Sequence, residues 1–444
     1  MTMLVPDAAG AAAHALSRFG FGAAPGDPAR VGHDPKGWVE SQLKTDLPLT
    51  PAIFLDHPGS AARMQEVFAA RMSEPEEREQ RQKALREAYR TDIVARTRTA
   101  IASEAPFLER LVQFWSNHFT VSTQRGEVAP LAVAFENEAI RPNLLGRFED
   151  MAKAAILHPA MLVYLDNVQS VGPGSRAGSK GKRGLNENLG REALELHTLG
   201  VNGGYDQDDV RALALILTGW AIDKETGAAS FNPNTHEPGT KILVGHKVAE
   251  AGAEEAGQAI TFLANHPATA RHVAVKLARH FIADDPPDDA VKTLERQFRD
   301  SGGDLTVLYR TLVGLDAAWA HPLAKLRSPN DFLIATLRAT DLPMDEKQLA
   351  NTLGLLGQMP FSAPSPAGWP DRAADWAGPD AVVRRVDWSL ALGQRIGSRI
   401  DARALLADIL GGRANEDLHR TVERAPSPGE ALALTLLSPA FQRR

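Results

Sequence analysis

Cysteine is absent from all 444 residues of the chain. That single absence excludes disulfides, cysteine-ligated zinc, iron–sulfur clusters and thiol nucleophiles together. No apolar run approaches the ~20 residues a helix needs to cross a bilayer. No basic segment followed by an apolar one reads as a secretory signal, so the cytoplasm is the expected location. Positive charge is not in excess either: 49 Lys and Arg stand against 55 Asp and Glu, for a net charge of −6. A general affinity for nucleic acid needs basic surface to displace counterions, and is therefore not expected. No glycine fingerprint follows a strand-like run, and no Gly-Lys-Ser/Thr closes the glycine-rich stretch at 170–184. There is no Gly-x-Ser-x-Gly elbow. Dinucleotide, P-loop nucleotide and Ser-His-Asp chemistry are disfavoured accordingly, and nothing points to haem.

What is present favours helix. Alanine and leucine outweigh β-branched residues, and a chain of this length buries a large core. The expectation is an all-α fold, a large irregular assembly of helices meeting at steep angles. It would form a single domain over 1–444 with its core at 105–345, an N-terminal lobe at 1–104 and a C-terminal lobe at 346–444. One small β-hairpin is expected near 231–246, with His236, Glu237 and Lys241 at or near its turn. Residues 360–380 lose periodicity and carry Trp369 and Trp376, so a long ordered loop is expected there. The stretch 170–184, with Arg176, Lys180, Lys182 and Arg183, reads as a mobile surface loop or a lid.

The densest set of charges among apolar residues lies at 186–220. Residues 188–199 have helical spacing, which places Asn188, Arg191, Glu192 and Glu195 on one face and turns His197 nearly opposite. Gly200 supplies a left-handed stop, and Asp206 with Asp209 resembles a capping box. Two readings of the glutamates compete. One is a solvated face on which Arg191 pairs with Glu195 at i,i+4. The other is a partly buried carboxylate pair, one pKa raised by the other charge, that supplies an acid beside a base or binds a cation.

The pattern Asn-Glu-Asn-Leu-x-Arg-Glu-x-Leu-Glu-Leu-His-Thr-Leu-Gly-Val-x-Gly-Gly-Tyr resembles the signature of a bacterial family known as domain of unknown function eighteen-hundred. Arg18-Phe19-Gly20-Phe21-Gly22, Phe114-Trp115-Ser116-Asn117-His118-Phe119, His158-Pro159-Ala160-Met161-Leu162, His266-Pro267-Ala268-Thr269-Ala270 and Gly368-Trp369-Pro370 are similar to the same family. The resemblance spans nearly the whole chain. It implies a helical fold and a bacterial source, and brings no catalytic assignment with it.

Two further helices carry candidate groups. From Pro106, a helix apolar over most of its girth presents His118 as either a core histidine or a ligand. From His266-Pro267, proline opens a helix on which His272, Lys276 and Arg279 form one basic stripe. A hydrolase or lyase acting on a polar, sugar-like substrate would use Glu192, Glu195, His236 and Glu237 for catalysis. Arg191, Lys241, Lys276, Arg279, Trp220 and Trp369 would then hold the substrate, a small molecule or a polymer. A second reading has a divalent metal assist hydrolysis or oxidation, with His118 and His197 as ligands. A third makes the charged cluster structural and the protein a scaffold. The first reading requires the acidic edge at Glu192 and Glu195 to face the basic stripe across a shared hollow.

Overall fold

The computed structural model describes residues 8–44, 49–181 and 184–444. Lys182 and Arg183 of the glycine-rich stretch lie outside the described residues. Among the described residues the chain is overwhelmingly helical, and its only sheets are two antiparallel pairs of three-residue strands. The elements that matter most here are α1 (Pro75–Ala102), α2 (Pro106–His118), α3 (Asn188–Glu192), α4 (Gln207–Leu217), α5 (Pro267–Phe281), α6 (Pro329–Thr340) and α7 (Pro379–Ile396). Proline opens α1, α2, α5, α6 and α7, where its missing N–H has no helical partner to lose. Asp206 and Asp209 form the expected capping box of α4. The His-Pro-Ala segments are caps as well: His158 and His266 each accept the N–H two residues on at Nδ1.

Apolar residues gather in two main clusters. The larger runs from α2 through the middle of the chain to α5 and Tyr309. The second joins α6 and α7 to the C-terminal helices. The helix Ala8–Arg18 serves both, with Ala15 in the first and Ala12 and Leu16 in the second. Arg18 ends that helix fully buried, its guanidinium donating to the carbonyls of Phe281, Ile282, His321 and Arg444. One side chain thus ties four segments together, which gives the Arg-Phe-Gly-Phe-Gly segment an architectural role.

Four expectations are corrected. Residues 128–141 read in the sequence as one helix, but the structure breaks them into a 3-10 turn over Gly126–Leu131, one α-turn over Ala132–Phe135 and a π-turn over Glu136–Ile140. Pro130 lies inside the first piece, where it cannot donate to the helical ladder. The hairpin expected at 231–246 is two hairpins, Trp220–Ile222 with Ala229–Phe231 and Lys241–Leu243 with His246–Val248. Val244 and Gly245 turn the second with positive φ at both positions, so His236 and Glu237 lie in the connection between the sheets. The loop at 360–380 contains one helical turn, Ala373–Trp376, and α7 starts within its range. The glycine-rich stretch is fastened down: Gly172 and Ala177 donate to the carbonyls of Thr235 and Asn234, and Gly174 donates to the Glu237 carboxylate.

Candidate active site

A cavity of about 350 Å³ opens between α2, α5, the start of α6 and the Trp369 loop. Two of the similar segments meet at its wall. The Asn117 side chain donates to the Trp369 carbonyl at 2.9 Å and accepts the Trp369 N–H at 2.7 Å. Gly368 permits this contact. Its φ is +83°, and a Cβ there would stand 2.5 Å from the Asn117 carbonyl oxygen. Any other residue at 368 would push the loop off α2.

Six cationic side chains and three carboxylates line the cavity. Asp331 meets Arg110 at 3.1 Å and Arg444 at 3.3 Å. Asp371 accepts from His280 Nδ1 at 2.8 Å and has Lys325 at 3.5 Å. Burial alone would raise the Asp371 carboxyl, but His280, Lys325 and Arg444 hold it well below the usual carboxylate range. Burial lowers His280 to about 4, against the pull of Asp371. The ring is therefore neutral at physiological pH, with its proton on Nδ1 toward Asp371 and the Nε2 lone pair directed to Arg110 at 3.5 Å. That contact lies at the outer limit of hydrogen bonding, so a substrate proton donor can displace it. A carboxylate fixing an imidazole in one tautomer is the geometry of a positioned general base.

Lys276 and Arg279 reach the same cavity from α5, one turn apart. Among the described residues Lys276 has no hydrogen-bond or ion-pair partner, and Arg279 donates only to the Asp284 carbonyl. Burial lowers the Lys276 amine to about 8, with Asp371 opposing and Arg279 assisting. The unfolded chain holds this proton more tightly between pH 8 and 10.5, so folding stability rises with pH across that interval. Replacing Lys276 by Met should remove the cost of the charge and raise stability at pH 7 by on the order of 3 kcal/mol. Urea melts at pH 7 and pH 10 check this; the gain should shrink at the higher pH.

The remaining expected residues are dispersed. Trp369 and His118 line the cavity, whereas Glu192, Glu195, Arg191, His236, Glu237, Lys241 and Trp220 do not. The acidic edge therefore does not look across this hollow at the basic stripe. The central stretch is met instead by histidines from α5 and α2 that bond its backbone. His272 Nε2 bonds the Leu196 carbonyl and His118 Nε2 the His197 carbonyl, both at 3.0 Å. These carbonyls close a π-turn, Ala193–His197, which replaces the expected continuation of α3. Burial pushes His197 down to about 3, helped by the charge of Lys276, and neither ring nitrogen has a partner among the described residues. Among the described residues no group of three or more His, Asp or Glu side chains is arranged to hold a metal ion.

Arg191 bonds Glu187 and Gln207, so the expected pair with Glu195 does not form. Glu192 and Glu195 are both half-buried. Burial raises the Glu192 carboxyl and the Glu195 charge raises it further. His236 and Lys241 are bound to the buried Glu255 at 3.0 and 2.7 Å, and Glu237 fastens the glycine-rich loop. Trp220 begins the first strand, its ring 5.9 Å from Phe231.

Sequence reasoning missed His280, Asp371 and Asp331. His280 was within reach, because it follows Lys276 by four residues on the same helix. Asp371 adjoins Gly368-Trp369-Pro370 but lies 91 residues from His280, a pairing no local pattern reveals.

One protein-family model, described as Protein of unknown function (DUF1800), matches residues 14–443. The chain belongs to that family. No curated protein and no solved structure matches it. In this DUF1800 chain, Gly190 gives the signature stretch a reason apart from chemistry: a Cβ there would stand 2.8 Å from the Ala214 backbone nitrogen. Gly200, with φ +82°, likewise lies where a Cβ would strike the His272 ring. No helix among the described residues is long and apolar enough to cross a membrane.

Proposed function

We propose that the protein is an enzyme that moves a proton on a small polar molecule held in the α2–α5 cavity, as a hydrolase or a lyase does. His280 acts as the base, Asp371 positions it, and Trp369 walls the site. The observation that carries this reading is the neutral His280 ring, bonded to Asp371 and facing a cavity at the small end of ligand pockets. Sugar-like substrates suit a site with Trp369 and Trp376 together, their rings 5.7 Å apart.

The pH profile follows from the groups named. Activity should fall as pH drops through about 4, where His280 takes up a proton and ceases to be a base. It should fall again as pH rises through about 8, where Lys276 loses its charge. The test is a product-release screen over sugar acids, esters and amides, repeated with His280→Gln. Turnover lost by roughly 100-fold or more, with the melting curve unchanged, supports the reading. Turnover that survives His280→Gln and disappears in Glu192→Gln would return the chemistry to the central helix, where the raised Glu192 carboxyl beside Glu195 offers an acid and a base.

A further inference from the structure

Charge accounting around the cavity identifies the class of molecule it takes. Asp331 is matched by Arg110, Asp371 by Arg444 at 3.8 Å, and the neighbouring Asp284 by Lys325, while the His280 ring is neutral and adds no charge. Asp375 is exposed. Arg96 is committed to Glu136 and Arg372 to Asp285. Lys276 and Arg279 are left without a carboxylate, side by side on one turn of α5. A charge withdrawn from water without a partner costs free energy that a bound counter-ion restores. Donors without acceptors among the described residues lie in the same wall: Arg110 Nη2, Arg444 Nη1, Gln113 Nε2 and the Trp369 indole N–H. On one side, then, the lining offers N–H groups and positive charge with nothing negative to receive them.

We infer that the natural ligand carries an oxyanion group, a carboxylate or a phosphate, which Lys276 and Arg279 hold while the rest of the molecule lies toward Trp369. This rests on the proton-transfer reading only in sharing its cavity; binding of the anion does not require His280 to act as a base. An oxyanion accepts several donors at once, and guanidinium and ammonium are the side chains that favour it. The other titratable groups around Lys276 are His118, His197 and His272, which burial keeps neutral, with Asp371 opposite. Among these, Lys276 is the group with a proton to gain near pH 8 when an anion arrives.

The test is calorimetric titration of the full chain with sodium phosphate and, separately, with sodium malonate, at constant ionic strength against a chloride control. At least one should bind, and which of the two does so separates a phosphate-bearing from a carboxylate-bearing ligand. Lys276→Met and Arg279→Met should each weaken that binding at least tenfold, while Lys276→Arg should keep most of it. Repeating the titration at pH 8 in two buffers of different ionisation enthalpy should show net proton uptake, absent in Lys276→Met. Binding of neither anion above the chloride control overturns the inference, as does binding that both Met variants leave intact. His280→Gln separates the two readings. If it loses turnover but binds the anion normally, both stand. If it keeps turnover while Lys276→Met loses anion binding, the oxyanion site stands and the base does not.

Discussion

Asp371→Asn should lower turnover by about 10²–10⁴-fold while leaving the fold in place. The carboxylate accepts from His280 Nδ1 at 2.8 Å and so fixes the proton there, leaving Nε2 free to take a proton from substrate. An asparagine amide can turn its NH₂ to the ring, which then carries its proton on the wrong nitrogen. The loss should appear in kcat more than in KM, because Lys276 and Arg279 still hold the substrate. Stability should fall too, because the variant loses a charge that His280, Lys325 and Arg444 favour in the folded state, so kcat is read on protein the melt shows to be folded. Steady-state kinetics on the best substrate of the screen, with a urea melt alongside, measure both. Equal kcat in the variant would mean that Asp371 does not position a base.

Arg141→Met should destabilise the protein by about 3–5 kcal/mol. Arg141 is fully buried and meets both Glu109 oxygens, at 2.7 and 2.9 Å, and Glu136 at 3.1 Å. Burial by itself would lower its pKa, but the two glutamates more than reverse that and hold the cation firmly charged. Glu136 also accepts from Arg96 at 2.7 Å and from Ser116 at 2.8 Å. Burial would raise its carboxyl, but Arg96 and Arg141 hold it low. This contribution is present above the unfolded pKa near 4.5 and is lost as pH falls through the lower folded value. Removing Arg141 strands Glu109 without its cation in the core, and chemical denaturation at pH 7 reads the cost directly. A loss below about 1 kcal/mol would match a solvated pair instead.

The helical frame was legible because its signals are local. Proline at the first turn, Asp206 with Asp209, and the apolar run along Pro106–His118 each act within a few residues. The π-turns at Glu136–Ile140 and Ala193–His197 were not legible. Each inserts a residue relative to an α-helix and rotates the residues beyond it, so a face drawn at constant pitch across 188–199 misplaces its later members. A valine at positive φ in the Val244–Gly245 turn is just as hard to anticipate, since turn composition points elsewhere.

About half of the candidate site could be read from the chain. Lys276 and Arg279 share a helix stripe, His118 marks the end of an apolar helix, and the tryptophans of a long loop promised a wall. The other half depends on pairs with no local trace: His280 with Asp371, Arg110 with Asp331, and Asn117 with Trp369, which is 252 residues away. The glutamates of the central helix drew attention because their charge stands out in an apolar stretch. Gly190 and Gly200 show that close packing also makes demands on that stretch.

The most direct measurement is a crystal structure of the full chain with the best substrate of the screen, or its unreactive analogue, bound. Ligand density within hydrogen-bond reach of His280 Nε2, with its oxyanion between Lys276 and Arg279, is the predicted result. Density lying instead against Glu192 and Glu195, with the α2–α5 cavity holding only solvent, would contradict it.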